Sequence, residues 1–402
     1  MADRLSSKRL SGKRLSGERL SGDRLARLGA TAARHVADDK VPGLVALVAS
    51  GDQVHVEALG RLSAGGPPVA RDSLFRIAST TKPITAAATL ALVAEGLLGL
   101  DEPVDRLLPE LANRRVLRQI SAPLDDTGPA IRPVTTRHLL TFTFGFGMSG
   151  EMFTAPEPWP AVTAAEALRL VAFGPPDPAM PPDPDTWIAA LGSLPLMAQP
   201  GERWLYNTGA QVLGVLLARA AGMSFGDVLR TRILEPLGMT DTGFWTSDTA
   251  RLAQGYRPTP DGLVTWDMPD GRWSTPPAFE DGAGGLLSTV DDLLAFARML
   301  RDDGGDVLAP EAAAAMRTDQ LTPAQKAHGG LGPGFFDGQS WSFGQAVQDS
   351  GAFGWDGGLG SSWLVDPAAG LIVIVLTQRM FESPALPSVH RDIQAAAYAA
   401  LG

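Results

Sequence analysis

The chain has 402 residues, 45% hydrophobic and 19% charged, enough to bury a large core, and its 45 glycines and 32 prolines follow no collagen-like period, which points to ordered turns and long loops. It contains no cysteine, which excludes a thiol nucleophile, disulfides, thiolate zinc sites and cysteine-ligated iron–sulfur clusters, and leaves five histidines for imidazole chemistry. A net charge of −10 offers no basic excess to neutralise phosphates, so nucleic acid is not an expected partner.

Residues 4–25 repeat a five-residue Arg-Leu-Ser unit with leucines at Leu5, Leu10, Leu15, Leu20 and Leu25. A step of five advances about 140° around a helix, so these leucines scatter instead of forming one apolar face. The segment 1–25 carries +4 against −14 for the remainder and reads as a solvated basic arm ahead of one domain, 26–402. No continuous apolar stretch marks it as a secretory signal, and the longest apolar run, 86–100, is broken by Glu95 and two glycines, short of the roughly 20 residues that span a bilayer. The expectation is a cytoplasmic protein without a membrane partner.

Helical periodicity over 24–39 is followed by apolar β-type runs at 43–50 and 53–60, joined by a hairpin at Gly51-Asp52. An apolar helix is expected over 80–95, stopped by Gly96. From 101 to 280 the signals are mostly helical, with proline-rich interruptions at 155–160 and 174–184 that suit walls or lids around a site. Capping-box spacing at 288–292 precedes a helix over 293–300, and the chain closes with β-type runs at 361–365 and 371–377 and a helix near 388–401. The simplest architecture is α+β: an antiparallel sheet built from both chain ends, 26–100 and 281–402, flanked by helices, with a mostly helical subdomain, 101–280, inserted between.

Ser79-Thr80-Thr81-Lys82 is the one place where a lysine follows a serine by three. Ser79 stands where a β-type segment gives way to the apolar helix, so hydroxyl and ammonium share one face of its first turn, next to free backbone N–H groups and the positive end of the helix dipole. The alternative role is an N-cap with a solvent-facing cation. The five histidines are scattered singles, none placed as half of a triad, and none lies within a turn of another, so no metal site and no cofactor are expected. The Gly-x-Ser-x-Gly string at Gly222–Gly226 follows no strand and lacks the context of a nucleophile elbow; Ser224 reads as a helix cap. Tyr206, one of three tyrosines, sits just before a helix expected over 211–221. Gly354-Trp355-Asp356-Gly357-Gly358-Leu359-Gly360 precedes the run at 361–365, and glycines at an edge strand permit close approach to a ligand and present N–H groups to an oxyanion.

In this order and separation the three elements resemble the motifs of the penicillin-recognising serine hydrolases, the superfamily of class C β-lactamases, D-amino-acid peptidases and family VIII carboxylesterases. Connecting strings add to the resemblance: Gly99-Leu100-Asp101-Glu102-Pro103-Val104, Glu235-Pro236-Leu237-Gly238-Met239 with Thr242-Gly243-Phe244, and Ala283-Gly284-Gly285-Leu286. It covers about 30–400 and implies a site at the junction of an α/β part and a helical part. Carried over by position, Ser79 matches the acylated nucleophile, Lys82 its lysine partner and Tyr206 the general-base tyrosine. The second motif usually reads Tyr-x-Asn and here has Thr208 in third place, as in members with a Trp-x-Tyr form such as Trp204-Leu205-Tyr206. The third motif usually begins with lysine and here reads Trp355-Asp356-Gly357. Losing that cation removes a partner for a substrate carboxylate, and the charge on Asp356 opposes one, which favours uncharged esters.

The implied chemistry is an acyl-enzyme on Ser79, with the N–H groups of Ser79 and Gly358 holding the oxyanion and an apolar pocket drawn from Trp355, Trp204, Phe153, Trp159 and Trp187. A base with an ordinary pKa near 10 must drop by roughly three units to act at neutral pH; burial lowers a lysine and a neighbouring ammonium lowers a tyrosine, so the spacing does not choose between Lys82 and Tyr206. The leading reading is a serine esterase for small carboxylic esters. The same residues also suit a β-lactam, D-peptide or amide hydrolase or an acyltransferase, and a silent binding protein on this fold is the reading from another class.

Overall fold

The computed structural model describes residues 19–402. The sheet that organises them comes from both chain ends. Strands β1 (Gly43–Ser50) and β2 (Gln53–Gly60) form the early hairpin, and β3 (Gln339–Trp341), β4 (Ala346–Gln348), β5 (Phe353–Gly357), β6 (Ser361–Asp366) and β7 (Leu371–Thr377) come from the last seventy residues. Their order across the sheet is β2-β1-β7-β6-β5-β4-β3, and every adjacent pair is antiparallel. The two-residue connection at Gly51-Asp52 fixes the first register, Ser50 opposite Gln53, with Gly51 at φ 55°.

Alternation sorts β1 onto two cores. Leu44, Ala46 and Val48 face one side with Val373 and Val375, where they meet Leu28 and Ala32 of helix α1 (Gly22–Ala37) and Val389, Ile393 and Ala397 of the C-terminal helix (Ser388–Ala399). Val45, Leu47 and Ala49 face the other side with Ile372 and Ile374 and join the main core, which contains α2 (Thr81–Ala94) and the helix Val290–Arg301. A strand buried on both faces needs an unbroken apolar run, and β1 has one. His35 and Asp392, 2.9 Å apart, tie the two terminal helices together.

The α+β class read from the sequence holds, and three differences are informative. Leu20 is buried and bridges to Leu401, and α1 starts at Gly22, so residues 19–25 belong to the fold and the arm boundary at 25 falls too late. Leu20 can dock because it is held beside the terminal helix, a long-range contact that five-residue periodicity does not carry. Residues 1–18 lie outside the described residues. Between 101 and 280 the chain adds two small antiparallel ribbons, Arg115–Leu117 with Thr127–Pro129 and Gly255–Thr259 with Gly262–Asp267, to its helices. Strands β3 and β4 carry no sequence signature, because three-residue strands leave no period to read.

Two local devices position the site. The short ladder of Phe75–Arg76 with Leu287–Ser288 brings segment 281–286 alongside the start of α2. The buried Arg76 side chain pairs with Asp267 and donates to the Ala253 carbonyl at 2.5 Å, fixing the ribbon behind it. Among the described residues no single helix is long and apolar enough to cross a membrane.

Candidate active site

Ser79 lies in a 3-10 turn, Ala78–Thr80, that leads directly into α2. Ala78, the residue before it, is held at φ 42°, a left-handed conformation that costs an L-residue about 1–2 kcal/mol. That bend leaves Ser79 partly exposed while Ile77, Ala78, Thr80, Thr81 and Lys82 are buried. One turn on, Lys82 is 1% exposed, its apolar stem packed in the core and its Nζ donating to Ser79 Oγ at 2.9 Å and to the Ala283 carbonyl at 2.6 Å. The same Nζ lies 4.6 Å from the centre of the Tyr206 ring. An N-cap with a solvent-facing lysine is thereby excluded.

Tyr206 reaches this point because its backbone pairs in both directions with Met148, N to O at 2.8 and 2.9 Å, ahead of helix α3 (Thr208–Ala221). Gly147 allows that pairing: a Cβ there would lie 2.5 Å from the Tyr206 carbonyl oxygen. Asn207 makes the turn into the helix at φ 88°. The Tyr206 phenol is 7% exposed, in hydrogen-bond contact with the Ser79 side chain, and accepts a 2.7 Å bond from Trp355 Nε1.

The third motif arrives on β5. Its neighbour β4 pairs with Phe353 and Gly354 alone, so Trp355–Gly357 are paired with β6 on one side and keep the other backbone edge toward the Ser79 turn. Gly357 lies so close to that turn that a Cβ would stand 2.2 Å from the Ile77 carbonyl. Ser361 stitches strand to turn, donating to Ile77 O at 2.6 Å and bonding Thr80 Oγ1 at 2.9 Å. Gly358 is exposed at the strand end.

Burial dominates the electrostatics. Desolvation pulls Lys82 down to about 7, with the nearby Asp281 carboxylate opposing the shift. Tyr206 moves the other way: burial raises its pKa, the hydrogen bonds from Ser79 and Trp355 offset part of the rise, and the charge of Asp356 adds to it. The ammonium-lowered tyrosine considered from sequence does not appear. Asp356, pushed up to about 6 by desolvation, pairs in register with Ser362 and shares a hydrogen bond with it; Ser362 in turn accepts from Gln394 of the C-terminal helix. Strand alternation therefore turns the Asp356 side chain to the face opposite Trp355, so it is removed from the substrate-contacting set, its charge acting on Tyr206 from behind.

Of the expected pocket aromatics, Trp204 is fully buried and stacks on Tyr206 at 5.4 Å, Trp159 and Trp187 belong to the main core, and Phe153 is exposed. The side chains that do surround Tyr206 and Trp355 are Phe142, Trp341 and Phe335, with Trp341 edge-on to Trp355 at 4.7 Å and Phe335 against Trp204 at 5.1 Å. Phe335-Phe336 sits in the glycine-rich run 329–338, and an aromatic pair in such a run was the available signal. The proline-rich loop 174–184 does form a wall: Pro176 stands over Gly284, next to Ala78.

A serine with a buried lysine three residues on, joined by a tyrosine from a second segment and a glycine-edged strand, defines a serine hydrolase. A family model for beta-lactamase matches residues 28–398, and the chain belongs to that family. It is 40% identical over 336 residues to protein Rv1367c of Mycobacterium tuberculosis (strain ATCC 25618 / H37Rv), covering 78% of this chain and 79% of that one. It is 33% identical over 401 residues to esterase EstB of Burkholderia gladioli, covering 90% and 92%. Among solved structures it superposes on EstCE1, a hydrolase with promiscuous acyltransferase activity, at TM-score 0.78 and 25% identity over 94% of this chain and 99% of that one.

Proposed function

We propose that this protein is a serine esterase that hydrolyses small carboxylic esters through an acyl-enzyme on Ser79. The observation that carries the proposal is the convergence of Lys82 Nζ and the Tyr206 hydroxyl on Ser79 Oγ. With a pKa near 7, Lys82 is substantially neutral at physiological pH and takes the Ser79 proton as Oγ bonds to the ester carbonyl carbon. An indole N–H only donates, so Tyr206 Oη accepts from Trp355 as it does from Ser79, and the phenol keeps its own proton for the leaving group. The N–H groups of Ser79 and Gly358 receive the oxyanion, worth about 3–4 kcal/mol per donor. When the intermediate collapses, the C–O bond breaks and the leaving alcohol takes the proton back from the Lys82–Tyr206 pair. Water then repeats the cycle on the acyl-enzyme.

The preference for esters over penicillins or peptide C-termini rests on Trp355, which stands where a lysine would meet a substrate carboxylate. The likeness to EstCE1 supports a second fate for the acyl group, transfer to an alcohol in place of water. Turnover of p-nitrophenyl acetate and butyrate, with a burst lost in Ser79→Ala, tests the reading. Nitrocefin turnover above ester turnover would favour a β-lactamase, and no turnover on any simple ester would sink the esterase.

A further inference from the structure

Asp281 is buried beside Lys82 and takes no part in the scheme above. Its Oδ1 accepts the Ala283 N–H at 2.7 Å and its Oδ2 accepts from Gln211 Nε2 of α3 at 3.2 Å, while the N–H groups of Gly284 and Gly285 turn back to its backbone carbonyl at 3.2 and 2.9 Å. The turn so formed is zippered onto one face of α2. The Ala283 carbonyl receives Lys82 Nζ at 2.6 Å, the Gly282 carbonyl receives Thr85 Oγ1 at 2.7 Å, and the Leu286 N–H donates to Thr81 Oγ1 at 3.2 Å. Three hydrogen bonds from consecutive parts of 282–286 thus fix the surroundings of one amine, and all depend on a turn that the Asp281 side chain closes.

We propose that Asp281 is the positioning residue for Lys82: its carboxylate folds the 281–285 turn that presents the Ala283 carbonyl to Nζ and supplies the negative charge that faces the amine across the buried interface. The proposal rests on the reading that Lys82 takes the Ser79 proton. The other groups packed around Nζ are the Ser79 hydroxyl and the Tyr206 ring, both neutral, with Asp356 acting on Tyr206 from behind the sheet. Asp281 is therefore the group whose charge holds Lys82 up against the desolvation that pulls it down, and burial raises the carboxyl in turn. Gln211 anchors the carboxylate from a second helix, so the charge stays in place as substrate enters.

The test is the pH dependence of kcat/KM on a p-nitrophenyl ester, measured on the whole chain. Asp281→Asn keeps an oxygen for the Ala283 N–H and removes the charge. The expected result is an acid limb moved to lower pH by about one unit or more, with a several-fold lower plateau because the amine becomes a weaker base. Gln211→Met removes one donor to the carboxylate and moves the limb the same way by less. An acid limb unchanged in a folded Asp281→Asn protein, or in Gln211→Met should the first variant fail to fold, would overturn the proposal and leave Asp281 as a turn cap. Failure of the underlying reading looks different: the wild type itself would show no acid limb near 7 or no acyl group on Ser79.

Discussion

Ser79 stands between two walls made from opposite materials. On one side, α2 and segment 281–286 surround it with an amine, a carboxylate, an amide, threonine hydroxyls and backbone carbonyls, all buried and hydrogen-bonded to one another. On the other, Trp204, Tyr206, Trp341, Trp355 and Phe335 form a ring cluster that turns one hydroxyl to the site, the Tyr206 phenol, hydrogen-bonded to Ser79 and to the Trp355 indole N–H. In the first wall, position decides proton affinity: the low dielectric that penalises a lone ammonium brings Lys82 to about 7. In the second, shape and dryness decide what enters, and the same burial holds Tyr206 protonated. One force, desolvation, therefore produces the base and its proton donor by acting on groups of opposite charge type.

The contrast can be broken from either side. Lys82→Met is expected to lower kcat/KM about a thousandfold while leaving the melting temperature equal or higher, because the chain no longer buries an amine. A retained rate would move the base function to Tyr206. Tyr206→Phe keeps the rings packed and removes the hydroxyl, with an expected loss of about a hundredfold in kcat and little change in KM. The pH profile separates the two groups without mutation: kcat/KM should rise through about 7 as Lys82 loses its proton, then hold level on the alkaline side because Tyr206 is raised. An alkaline fall below pH 9 would contradict the tyrosine assignment. The smallest effect belongs to Trp355→Phe, which forfeits one neutral hydrogen bond and should cost about tenfold.

The two walls were not equally legible in the sequence. Ser79 and Lys82 share a three-residue spacing and Tyr206 is a rare residue before a helix, local signals to which the resemblance to the family's motifs gives roles, and β1 and β7 follow from unbroken apolar runs. The aromatic wall is assembled from 142, 204, 335, 341 and 355, and nothing local says which of the chain's nine tryptophans will meet. Their place in or beside proline-rich loops puts Trp159 and Trp187 at the pocket, yet Trp187 donates its N–H to Leu170 O and packs against Phe279 in the core. Asp356 was misplaced for a finer reason. The segment reads as an edge strand, but which of its side chains faces the site depends on the register with Ser361–Asp366, and that register turns Asp356 to the other face. Asp281 stands two residues before the Ala283–Leu286 string and has no local signal of its own, since its contacts, to Gln211 and Ala283, span α3 and a turn.

The most direct test is intact-mass spectrometry of the protein quenched during turnover of p-nitrophenyl butyrate, followed by peptide mapping. The account predicts a mass gain of one butyryl group on the peptide bearing Ser79, absent in Ser79→Ala and accumulating when Lys82 is replaced only to the extent that residual acylation allows. A butyryl group on any other residue, or one that persists in Ser79→Ala, would contradict it.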